Sequence, residues 1–112
     1  MMSRNFKIVP ALEIKRSDEI WNYSNPIVGQ RKAFEYLGPN AIIYRSWRKD
    51  KKFMIQDEKG RWVHFGQMGF QDYLNHKDYD RMKRYRSRAT KIKGDWKDNP
   101  YSPNNLSINI LW

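Results

Sequence analysis

The spacing of apolar positions changes character several times along this chain. Between positions 1 and 24, Ile8, Val9, Leu12, Ile14, Ile20 and Trp21 follow no sustained period, and no Gly/Ser-rich linker separates them from what comes next. They are expected to form an arm packed on the domain. At Ser24-Asn25-Pro26 the chain offers a helix start, because Ser or Asn can accept from free first-turn amides and Pro suits the first helical position. Ile27, Phe34 and Leu37 recur at helical spacing until Gly38 stops the helix, with Gly29 as a weak point inside it. From Ala41 the rhythm becomes that of strands. Ile42, Tyr44 and Ser46 alternate with Ile43, Arg45 and Trp47, a charged turn leads into Lys52–Gln56, and Asp57-Glu58-Lys59-Gly60 turns the chain into Arg61–Phe65. Gly60 is available for a positive φ at that turn.

Gly66 and Gly69 are expected to end this strand, after which residues 71–92 read as one or two helices with Met82, Tyr85, Ala89 and Ile92 forming a seam toward the sheet. A turn-rich connection follows Gly94. The final stretch, Leu106 to Trp112, alternates as a strand does, while Ser102-Pro103 offers the alternative of a capped short helix. Three short antiparallel strands need helices on one face to become stable. The pattern therefore predicts a small single α+β domain over residues 25–93: a three-stranded antiparallel sheet packed with an N-terminal helix and a basic Arg-rich helix. An arm at 1–24 and an aromatic C-terminal arm at 94–112, packing on the domain or on a partner, flank it.

Composition narrows the classes of function. The 112 residues suit one domain, and a 15% aromatic share that includes five Trp and seven Tyr is too rich for a disordered basic tail. Cysteine is absent, which removes disulfides, thiolate metal sites and cysteine nucleophiles. No apolar run reaches signal-peptide or membrane-span length, the longest being Ala41-Ile42-Ile43-Tyr44, so a protein of the cell interior that is not secreted is expected. The formal charge of +10 favours polyanions as partners.

That charge is unevenly placed. Positions 81 to 93 hold Arg81, Lys83, Arg84, Arg86, Arg88, Lys91 and Lys93, seven cations without one anion. Such a stretch gains nothing for folding from its own repulsion, and phosphates would neutralise it with release of counterions. A solubilising face usually mixes both signs. A second cluster, Arg45, Arg48, Lys49, Lys51 and Lys52, lies on the first hairpin and is expected to extend the footprint. Trp47, Phe53, Trp62, Tyr73, Tyr79, Tyr85 and Trp96 lie near these cations as candidate rings for base stacking, although most rings fill cores. Enzyme signatures are thin. No glycine-rich phosphate loop or nucleophile elbow occurs, and the only catalytic alternative is a ββα-metal arrangement built from His64 with Asp72, Asn75, His76 and Asp78. A strand His with a polar partner and acids at a helix start account for the same residues without catalysis.

Several of these residues also carry a resemblance. Lys51-Lys52-Phe53-Met54, Val63-His64-Phe65-Gly66 with Gly69, Asp72-Tyr73, His76-Lys77-Asp78, Arg81, Arg84-Tyr85 and Arg88 resemble small basic proteins of large eukaryotic DNA viruses of the phycodnavirus and mimivirus type. Similar short proteins occur in tailed phages. The ending Trp96-Lys97-Asp98-Asn99, Tyr101-Ser102-Pro103-Asn104-Asn105-Leu106 and Leu111-Trp112 looks like the eukaryotic-virus version. The likeness spans residues 34–112, and Ala89 departs from it where many relatives place His. It brings no assigned activity, only a setting: the virion or the interior of an infected cell. Within that setting the expectation is a non-enzymatic, sequence-tolerant nucleic-acid-binding protein without cofactor or metal, DNA ranking ahead of RNA. The alternative is a minor capsid protein that binds acidic virion subunits, with Trp96, Tyr101, Leu111 and Trp112 as a partner-binding anchor.

Overall fold

The computed structural model describes residues 8–112, so positions 1–7 of the expected arm lie outside the described residues. Helix α1 (Pro26–Leu37) begins where local chemistry dictates: the Asn25 side chain accepts from the amides of Ile27 and Val28, and Gly38 closes the helix with φ 104°. Gly29 sits where α1 meets the core, its absent Cβ lying about 3.5 Å from the Ile43 and Leu74 methyls. Strands β1 (Tyr44–Arg45), β2 (Lys51–Gln56) and β3 (Trp62–Gln67) form an antiparallel sheet in the order β1-β2-β3, as the sequence predicts. Tyr44 pairs with Met54 and Met54 with His64, while Arg45, Phe53 and Phe65 form the next cross-strand row. Gly60 turns the second hairpin with φ 79°.

Strand β1 is shorter than its alternation suggests. Ala41 and Ile43 are drawn off by the buried Gln30 amide, which donates to the Ala41 carbonyl at 2.7 Å and accepts from the Ile43 amide at 2.9 Å. The arm closes the edge that remains, with Ala11 N bonded to the Ile43 carbonyl and Arg45 N to the Val9 carbonyl. Ala11, Ile14 and Ile20 of this arm share one core cluster with Ile43, Phe53, Phe65, Leu106, Ile110 and Leu111.

Two expectations are corrected, for β3 and for the basic segment, and of the two readings of the C-terminal stretch the capped helix is the one found. Strand β3 runs through Gly66 instead of ending there; this residue takes φ 83°, and a Cβ on it would fall 2.8 Å from the Leu111 side chain. The C-terminal stretch is helical: α4 (Pro103–Leu106) starts under the Ser102 hydroxyl cap and widens into a π-helical turn over Ser107–Leu111. Its strand-like alternation arises because Leu106, Ser107, Ile108, Ile110 and Leu111 are all buried, and a helix enclosed on several sides shows no single apolar stripe. The basic segment forms α2 (Tyr73–His76) and α3 (Tyr79–Thr90), but its seam meets the C-terminal segment. Tyr85 stacks on Trp112 with ring centroids 4.2 Å apart, Asn104 donates to the Ala89 carbonyl, and Ile92 is exposed.

Candidate nucleic-acid interface

Two of the five hairpin cations are held inside the fold. Lys52 is buried, and its ammonium donates to the Phe70 carbonyl at 2.6 Å and to the Asp72 carboxylate at 3.1 Å. Burial pushes the Lys52 pKa down and that of Asp72 up, each partner's charge opposing the shift. Arg45 bridges to Asp18 at 3.1 Å and reaches the carbonyls of Ser46, Lys51 and Lys52. Lys52 is thus buried away from any surface footprint, which corrects its expected place there, and Arg45 is engaged by internal partners. Arg48 is exposed and paired with Asp50 at 3.0 Å. Lys49 and Lys51 have no ion pair among the described residues, and Lys49 is exposed.

Helix α3 differs. Asp78 caps it by accepting from the Arg81 amide, and Lys77 turns the chain into that cap in the left-handed region, φ 56°. Of Arg81, Lys83, Arg84, Arg86, Arg88, Lys91 and Lys93, none forms an ion pair with a carboxylate among the described residues. They do not share one face, however. Arg81, Arg84 and Arg88 follow the i, i+3, i+7 spacing of a single helical stripe and line one groove. Lys83 lies over the Tyr79 ring at 5.3 Å, and Arg86 turns to the other side, donating to the Ile108 carbonyl at 3.2 Å. Lys91 and Lys93 lie past the helix and are exposed.

The groove has a volume of about 410 Å³ between α3, the start of β2, the turn after β3 and the C-terminal helix. Lys52, Arg81, Arg84 and Arg88 supply its charged side chains, and no Asp or Glu lines it. Phe70, two-thirds exposed, stands at its margin, and Trp112 joins the wall. Residues 41–89 match a Family of unknown function (DUF5754). The matched stretch takes in the whole sheet, the groove turn and α3 as far as Ala89, and leaves α1 and the C-terminal helix outside it. No curated protein and no solved structure matches the chain.

The metal-nuclease candidates are not brought together. His64 Nδ1 lies 2.7 Å from the Ser46 hydroxyl, Asp72 is tied to Lys52, and His76 Nδ1 accepts from the Asp78 amide. Among the described residues no three His, Asp or Glu side chains converge as metal ligands. Nor is any helix among them long and apolar enough to cross a membrane.

The aromatic candidates separate as well. Phe53 is core, Trp47 packs edge-on against Trp62 and His64, and Trp96 donates to the Ile92 carbonyl. Of the expected partner anchor, Leu111 is 1% exposed and closes the protein's own core, which corrects its assignment. Trp112 and Tyr101 are half-buried against that core. Sequence reasoning missed Phe70. Its signal was a large ring directly after Gly69, in a turn where no buried neighbour was implied.

Proposed function

We propose that the protein is a non-enzymatic, sequence-tolerant nucleic-acid-binding protein of a large DNA virus, and that α3 supplies its phosphate contacts. One observation supports this reading above the others: the seven cations from Arg81 to Lys93 have no carboxylate partner among the described residues, while Arg45, Arg48, Lys52 and Arg61 each have one. Unneutralised like charges, five of them held on the formed helix, repel, and a polyanion relieves that repulsion while releasing its counterions. Sequence tolerance follows from the donors, because arginines directed at phosphates position a strand without reading bases. The viral setting rests on the resemblance of residues 34–112 and on the small, basic, ring-rich composition.

Charge reversal tests the assignment. In Arg84→Glu/Arg88→Glu, affinity for any DNA or RNA sequence falls uniformly, and the slope of log affinity against log salt flattens by roughly 1 to 2. Fluorescence anisotropy at two salt concentrations measures both quantities. Unchanged affinity for DNA and RNA overturns the reading. Cross-links confined to acidic virion proteins, with no nucleic acid retained, replace it with the capsid role.

A further inference from the structure

A cationic surface alone does not call for a concave site, yet the groove beside α3 is concave, lined by no Asp or Glu and bordered by an exposed ring. We propose that this groove holds one unpaired nucleotide of a nucleic-acid strand, its phosphate among Arg81, Arg84 and Arg88 and its base against Phe70. The inference rests on the polyanion reading and narrows it from any phosphate backbone to a single strand.

The size is suitable, since about 410 Å³ falls in the range of sites that enclose a small molecule. The charge is suitable too. Lys52 is neutralised by Asp72 beneath the groove, so the arginine stripe is left to meet the ligand. The ring decides between strand forms. Phe70 exposes 67% of its surface to water, where it contributes little to the core. Its backbone is pinned all the same, because Lys52 donates to the Phe70 carbonyl at 2.6 Å and the Asp72 amide donates to the Tyr23 carbonyl at 2.9 Å. An exposed ring on an anchored backbone is arranged in advance for stacking. Only an unpaired base presents a free face to it, since duplex bases are already stacked on their neighbours. Tyr85 and Trp112 are already stacked on one another, which leaves Phe70 as the platform.

The test compares a labelled 12-nucleotide DNA strand, its 12-base-pair duplex and free thymidine 5′-phosphate, all against the full chain. The single strand is expected to bind about fivefold or more tighter than the duplex, and at least about tenfold tighter than the mononucleotide. Phe70→Ala should weaken single-strand binding about tenfold, leave duplex binding within about twofold, and melt at the wild-type temperature because the ring is exposed. Phe70→Tyr should restore single-strand affinity. Duplex binding as tight as single-strand binding, together with an unaffected Phe70→Ala, overturns the groove assignment and leaves the phosphate reading standing. Equal affinity for the mononucleotide reassigns the groove to a free nucleotide and overturns the strand proposal. No binding of strand or duplex at low salt removes the underlying reading as well.

Discussion

The hairpins and helix α3 carry similar cations that are paired to different degrees. Along residues 45–61, Arg45, Arg48, Lys52 and Arg61 find Asp18, Asp50, Asp72 and Asp57 at 3.0 to 3.1 Å, while Lys49, Lys51 and Lys59 have no ion pair among the described residues. Along residues 81–93 no acid comes within reach among the described residues. Two of the hairpin's acids are distant in sequence, since Asp18 and Asp72 arrive through the arm and the segment before α2. Local charge density therefore says little about whether a cation serves the fold or a partner. What separates them is whether the tertiary structure delivers a carboxylate.

The comparison breaks most visibly at Lys52. Replacing it with Met leaves the Asp72 carboxylate buried without its counter-charge, and removing one partner of a buried pair costs roughly 3–5 kcal/mol. Urea denaturation of Lys52→Met should show that loss, and Lys52→Met/Asp72→Leu should recover much of it, because an apolar pair replaces the ions. If the single change proves neutral, Lys52 is not a structural cation and returns to the candidate footprint.

Arg45 comes next. It joins Asp18 to three backbone carbonyls at the sheet edge, half-buried, so Arg45→Ala should cost about 1–2 kcal/mol in the same denaturation experiment. Arg84→Glu/Arg88→Glu should shift stability by no more than about 0.5 kcal/mol, since these side chains hold no internal partner. Loss of stability in that variant comparable to Arg45→Ala would erase the contrast between the regions.

Much of the fold is legible where the deciding chemistry is local. Asn25-Pro26 and Gly38 bracket α1, and Asp57 to Gly60 turns the hairpin, because capping and positive φ depend on adjacent residues. The C-terminal helix was open to two readings, since the Ser102-Pro103 start competed with an alternation produced by burial on several sides. Lys52 was misread for a different reason. A lysine beside a charged turn looks solvated until Asp72, far along the chain, is folded beneath it. The division of α3 was present in the sequence, as Arg81, Arg84 and Arg88 already follow one helical stripe, but counting cations together obscured it.

Each region also contains a histidine that can report on its charge. Burial first, then the Arg48 charge, holds His64 below the ordinary value of 6.5; burial and then Arg81 do the same for His76. Both folded-state values lie under the unfolded one, so the unfolded chain takes up protons first as pH falls through 6.5. These two groups therefore favour folding less at acid pH, and the melting temperature should decline as pH drops from neutral through that window. Their responses to ligand should differ. His76 packs on Trp112 at the groove wall and feels Arg81, so a phosphate in the groove should raise its pKa. His64 does not line the groove and lies against Trp47 and Ser46, so its titration should stay where it was. Imidazole proton shifts followed by NMR against pH, with and without the 12-nucleotide strand, measure both. Equal movement of the two would place the ligand over both regions and dissolve the distinction between hairpin and helix.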